Sequence, residues 1–194
     1  MKKLYFTLLV FLGLIQFSNA QLGVRAGLNL SSFSTESSGL SISSDTKVGF
    51  HFGLTNDFKV TDNITFRPGL LYSAKGGSLT VEFGGQSETV TASYSYLDVP
   101  LSFVYNFSTE EKGFFLEAGP YVGLLLSAKS EDEDIKDSFN TLDFGLNVGL
   151  GYDLGNIVVG ANYGLGLANI AKTEDGDDTT AKNKNISIYA IYQF

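Results

Sequence analysis

The sequence predicts an all-β fold, an eight-stranded antiparallel up-and-down transmembrane β-barrel preceded by a signal peptide. Three observations point there. Apolar and polar residues alternate with period two through nearly the whole chain after residue 20, the pattern of strands with two unlike faces. The alternating segments are 10 to 14 residues long, where an ordinary strand has ~5–6 and a membrane-spanning strand needs ~9–11. The connections between them are short and long by turns, as in barrels with tight periplasmic turns and longer external loops.

The first element is the leader. Lys2 and Lys3 precede an apolar run from Leu4 to Phe17, and Ser18-Asn19-Ala20 follows it. A basic start, a short apolar stretch and small residues before a cut are the parts of a secretory signal peptide. The run is shorter than the ~20 residues of a spanning helix, so cleavage after Ala20 is expected. The chain has no Cys, which excludes a lipid anchor on Cys, disulfides and thiolate metal sites.

Residues 21–194 then form one barrel domain. Removing Lys2 and Lys3 from the 13 basic residues leaves 11 against 21 acidic ones, a net charge of −10. Nucleic acid is an unsuitable partner for such a chain, because its phosphates demand a basic face. Strands are expected at 21–33, 47–60, 64–75, 94–107, 114–127, 142–153, 157–168 and 185–194. Long polar connections fall at 34–46, 76–93, 128–141 and 169–184, and both chain ends then lie on the periplasmic side.

Each strand has one apolar parity, such as Leu142, Phe144, Leu146, Val148, Leu150 and Tyr152 in the sixth. Through all eight strands this parity carries no charge and no glycine, with Asn56 and Ser95 as polar exceptions. The other parity holds Gly23, Gly27, Gly49, Gly53, Gly145, Gly149 and Gly151 among others, mixed with Arg25, His51, Arg67, Asp98, Glu117, Asp143 and Asn162. Volume decides which face is inside. An eight-stranded barrel is just wide enough to be filled by side chains, and the large apolar set would not fit. The apolar face therefore meets the lipid bilayer, and the glycine-rich face lines a narrow, polar, filled lumen.

The eighth strand, "ISIYAIYQF", ends in mid-alternation because it must pair with the first to leave no edge. Phe58, Phe66, Tyr105, Phe107, Phe114, Tyr152, Tyr192 and Phe194 lie on the lipid-facing parity near the periplasmic rim and form the expected aromatic girdle. The terminal Phe194 also resembles the signal read by the outer-membrane assembly machinery, a partner during biogenesis.

Three segments, "GVRAGLNLSSF", "FRPGLLYSAKGG" and "YLDVPLSFVY", resemble the PorT-like outer-membrane barrel family of Bacteroidetes-type bacteria, similar in plan to small OmpA- and OmpX-type barrels of Gram-negative envelopes. The resemblance runs through the mature chain. It departs at Gly69 and Val104, where relatives often carry an acidic and a basic residue. It implies a fold and an outer-membrane location. An accessory role in transport or protein secretion enters only through the family's founding member.

Candidate chemistry is sparse. His51 is the single histidine and faces the lumen; an outer-membrane enzyme would have to use it with a hydroxyl and a carboxylate, and no motif fixes a nucleophile. Such a histidine is more often a hydrogen-bonded filler. The acidic runs Glu131–Asp134 and Glu174–Asp178 sit in external loops without the spacing of a calcium loop, and read as solvated tips. Arg25, Arg67 and Glu117 lie at similar depth, and with Asp98 and Asp143 they are expected to form a lumen charge network, since buried charges need partners. No catalytic residue, metal site or cofactor is assigned. The expected role is membrane structure, or docking of a protein or surface ligand at the external loops.

Overall fold

The computed structural model describes residues 20–37, 40–83, 86–108, 112–130, 133–172 and 179–194. Residues 1–19 of the expected leader 1–20 lie outside them. Among the described residues eight strands form a closed ring: β1 (Ala20–Ser37), β2 (Asp45–Lys59), β3 (Ile64–Phe83), β4 (Gln86–Asn106), β5 (Gly113–Ser130), β6 (Leu142–Asp153), β7 (Ile157–Gly166) and β8 (Thr180–Gln193). Each pairs antiparallel with its sequence neighbours. β8 returns to β1 in continuous register from Gly23–Gln193 to Glu36–Thr180. Phe194 adds the last bond, its N–H donating to the Leu22 carbonyl at 3.0 Å. The strand that ends the chain thus closes the sheet, and every strand has a neighbour on both sides.

Two short strands, Leu40–Ser43 and Glu133–Asp134, decorate the long-loop end by pairing with β1 and β5. The opposite end has the tight turns 60–63 and 154–156. In the second, Gly155 has φ +103°, a backbone conformation that a side chain disfavours.

Six of the strands exceed the expected bounds at the long-loop end, while β6 starts at Leu142 as expected and β7 stops at Gly166, two residues short of its expected end. β3 and β4 have 20 and 21 residues, so most of the 76–93 connection is a hairpin registered from Gly76–Ser93 to Phe83–Gln86. Thr80, Val81, Thr89, Val90 and Thr91 are good strand formers. Their polarity made them look like loop, because polar threonines alternate with nothing that must be hidden. β1 extends to Ser37 and β8 begins at Thr180 for the same reason.

Burial follows the parity. Leu28, Phe52, Phe103, Phe144, Val148, Leu150 and Ile188 all point outward and are 52 to 60% exposed on the bare chain. Lumen-facing Arg25, His51, Arg67, Glu117, Asp143 and Ile191 are no more than 4% exposed. An apolar exterior around a charged interior is the inverse of a water-soluble barrel. It is stable where the surroundings are hydrocarbon.

Candidate functional site

The lumen is layered, and each layer has a local cause. Nearest the tight turns, Asp57 of β2 accepts two bonds from Arg67 of β3, Nε to Oδ1 and Nη2 to Oδ2, both 2.6 Å. Gln193 of β8 donates to the same Oδ2 at 2.8 Å. These groups and Thr65, Lys59, Lys112 and Asn106 line a vestibule of about 240 Å³.

Above it lies an apolar layer of Val104, Phe115, Val158, Tyr189 and Ile191, none more than 3% exposed. Glycines make room for it. Phe115 is registered opposite Gly151, and Tyr189 opposite Gly160. Each ring lies over the glycine, the Tyr189 hydroxyl only 2.5 Å from where a Cβ on residue 160 would stand. Tyr121 over Gly145 and His51 over Gly27 repeat the device higher up. Gly27, Gly145, Gly151 and Gly160 are therefore slots for a ring of the adjacent strand, filled as closely as a packed core.

The middle layer is polar and surrounds a cavity of about 40 Å³, room for about three waters. Arg25 Nε donates to His51 Nε2 at 3.3 Å. That leaves His51 Nδ1 as the donor to Asn29 Oδ1, 2.9 Å away. The Arg25 guanidinium also lies over the Tyr189 ring, 3.6 Å from its centroid. Asn29 ties its own strand β1 to three others: besides His51 of β2, its Nδ2 reaches Ser73 Oγ of β3 at 3.0 Å and its Oδ1 accepts from Asn185 of β8 at 3.2 Å. Lys75 pairs with Asp98 at 2.7 Å and sits against the rings of Tyr96 and Tyr121. Asp143 accepts from Asn183 at 2.9 Å and from the Tyr121 hydroxyl at 3.2 Å. Glu117 accepts from Asn162 at 3.2 Å.

A second apolar layer, Tyr94, Tyr96, Leu125 and Ala128, closes the long-loop end, with Phe33, Ile135 and Phe139 packed on it. The connections fold down over this mouth. Asn140 N–H donates to the Ile170 carbonyl and Ile170 N–H to that of Ala181, both 2.8 Å. Phe139 lies 5.1 Å from Tyr94 between ring centroids.

The five expected network residues all face the lumen, but in separate clusters. Among the described residues the ion pairs are Arg67–Asp57 and Lys75–Asp98. Arg25 is held by His51 and Tyr189, and Glu117 and Asp143 by neutral donors. A purely polar lumen is the expectation that needs correcting: two apolar layers enclose the polar one, because glycine slots on one strand admit rings from the next. Asp57 and Lys75 were missed as partners, although both stand on the lumen parity. No spacing rule said which of several lumen charges would meet.

The girdle residues gather at the tight-turn rim. Phe58 stacks near Phe66 (6.4 Å), Tyr105 meets Phe107 edge-on (5.4 Å), Phe114 meets Tyr152 (4.8 Å) and Tyr192 meets Phe194 (5.1 Å). Phe103, 5.1 Å from Phe66, joins them. Of the acidic runs, residues 131–132 and 173–178 lie outside the described residues. Among those described, no three His, Asp or Glu side chains come together as metal ligands.

The architecture has known counterparts. The chain is similar to neisserial surface protein A at 17% identity, with a TM-score of 0.53, over 91% of this chain and 100% of that one. It is similar to the outer membrane protein OprG from Pseudomonas aeruginosa at 12% identity, TM-score 0.51, over 90% of this chain and 96% of that one. Those likenesses are of fold. No curated protein matches the sequence. The family model described as "Outer membrane protein beta-barrel domain" matches residues 15–172, most of the chain. The chain belongs to that outer-membrane β-barrel family, and its place is the outer membrane.

Proposed function

We propose that this barrel neither conducts nor catalyses, and that it works through its exterior. In this reading the long loops face outward and both termini the periplasm, the leader is cut after Ala20, and the kinship within the family is PorT-like. The role is membrane structure, or the docking of a protein or surface ligand at the loops. One observation carries it: apolar layers around Phe115 and around Tyr96 stand across the lumen on both sides of the 40 Å³ cavity. An ion would have to pass two layers of packed rings and aliphatic side chains that leave most of its hydration unreplaced, at a cost of several kcal/mol or more.

The bonding of His51 supports the same reading. A general base needs a free lone pair near a nucleophile, and Arg25 already donates to Nε2 while Nδ1 is engaged with Asn29. Ser73, opposite His51 in register, has its oxygen occupied by Asn29. The test is electrical. Purified barrel inserted in a planar bilayer is expected to give no resolved current steps. Steady single-channel openings would overturn the reading in favour of a transport role.

A further inference from the structure

The exterior of the long-loop end carries an unexplained pair of cations. Lys182 and Lys184 project from β8 on the parity of Ile186 and Ile188, which are 48 and 59% exposed on the bare chain. At ~3.4 Å per residue, Lys184 stands about 7 Å above Ile186 and Lys182 about 7 Å higher again. In register beside them on β1 are Ser32, opposite Lys184, and Ser34, opposite Lys182. Below, Leu30 faces Ile186 and Leu28 faces Ile188. Apolar surface thus gives way to ammonium and hydroxyl groups within one side-chain step.

Three other lysines of this end are occupied: Lys47 donates to Ser93, Lys136 to the Leu126 carbonyl and Lys172 to that of Asp137. Lys129, with Asp134 opposite in register, stands alone on β5, away from the seam. Among the described residues, Lys182 and Lys184 have neither a hydrogen bond nor an ion pair to protein. Glu36, opposite Thr180, is one step farther out and makes no ion pair with them. Two adjacent cations at the lipid boundary, unengaged among the described residues, are placed to meet an anion from outside the chain.

We propose that Lys182 and Lys184, with the Ser32 and Ser34 hydroxyls, bind the phosphate of an anionic outer-leaflet lipid headgroup across the β1–β8 seam. Lysine stems lie along the apolar surface while their ammonium groups reach headgroup depth, where phosphate oxygens accept from ammonium and hydroxyl donors alike. A lipid so placed bridges the first and last strands, the one junction in the ring not joined by a turn. The assignment rests on the outward orientation of the long loops only for the choice of leaflet.

The test uses the mature barrel refolded into phosphatidylcholine vesicles with lipid A in both leaflets, so lipid retention is read whatever the orientation. After extraction, native mass spectrometry counts the lipid A retained. Wild-type barrel should retain it, Lys182→Gln or Lys184→Gln should weaken retention about fivefold each, and the double variant about thirty-fold. Lys129→Gln should leave it unchanged. Equal retention by the double variant overturns the proposal, as does equal weakening by Lys129→Gln. Displacement of the lipid by inorganic phosphate alone overturns the lipid assignment in favour of a free anion. A loss of stability in pure phosphatidylcholine, with retention unaltered, would mean the lysines serve the protein itself through Glu36.

Discussion

On β5, Phe114 and Phe115 are neighbours in the chain and opposites in surroundings. Phe114 is 65% exposed at the lipid rim, and Phe115 is 1% exposed over Gly151 in the lumen. The outer ring needs only an apolar medium and one partner, Tyr152. The inner ring needs a particular glycine on a particular neighbouring strand in a particular register. The exterior of this barrel is therefore specified by composition, and the interior by pairing.

Truncation should expose that difference. Phe115→Ala empties a filled layer and should cost about 3–5 kcal/mol in reversible urea unfolding from lipid vesicles, the usual range for a buried ring. Asp57→Ala leaves the Arg67 guanidinium buried without its carboxylate, and should cost about 3–5 kcal/mol as well. Adding Arg67→Met to it should restore much of the loss, since the pair is expensive mainly when half of it is missing. Val148→Arg places a cation against hydrocarbon near mid-strand and should cost about 2–4 kcal/mol. Phe114→Ala is the small end of the series, about 0.5–1.5 kcal/mol for the ring pair with Tyr152. Equal costs for Phe114 and Phe115 would break the comparison.

How much was legible follows the same division. The outer face could be read residue by residue, because a two-residue period and the absence of charge suffice to mark it. The eight strands, their order and the closure by β8 came with it. Strand ends at the loop side were not legible: the threonine-rich segments Thr80–Phe83 and Gln86–Thr91 show no clear apolar parity, and only the hairpin register shows them to be sheet. Inside, parity named Arg25, Arg67, Glu117, Asp98 and Asp143 as lumen residues but not their partners. Which side chains meet depends on strand tilt and side-chain reach, so Arg67 found Asp57 and Asp98 found Lys75. Phe115, Tyr121 and Tyr189 share the lumen parity with the glycines. The signal that pairs them was present only as ring and glycine on adjacent strands, and it cannot be used before the register is known.

The central claim is that the apolar parity meets lipid and the glycine parity does not. Because the chain has no cysteine, single substitutions Val148→Cys and Asn147→Cys can each be labelled with a small fluorophore, and the barrels refolded into vesicles of lipids brominated on their acyl chains. Bromine quenches only a probe in contact with hydrocarbon. The account predicts strong quenching at position 148 and little at 147, whose side chain borders the central cavity. Strong quenching at 147 with position 148 spared would contradict it, and would mean the barrel's inside and outside are exchanged.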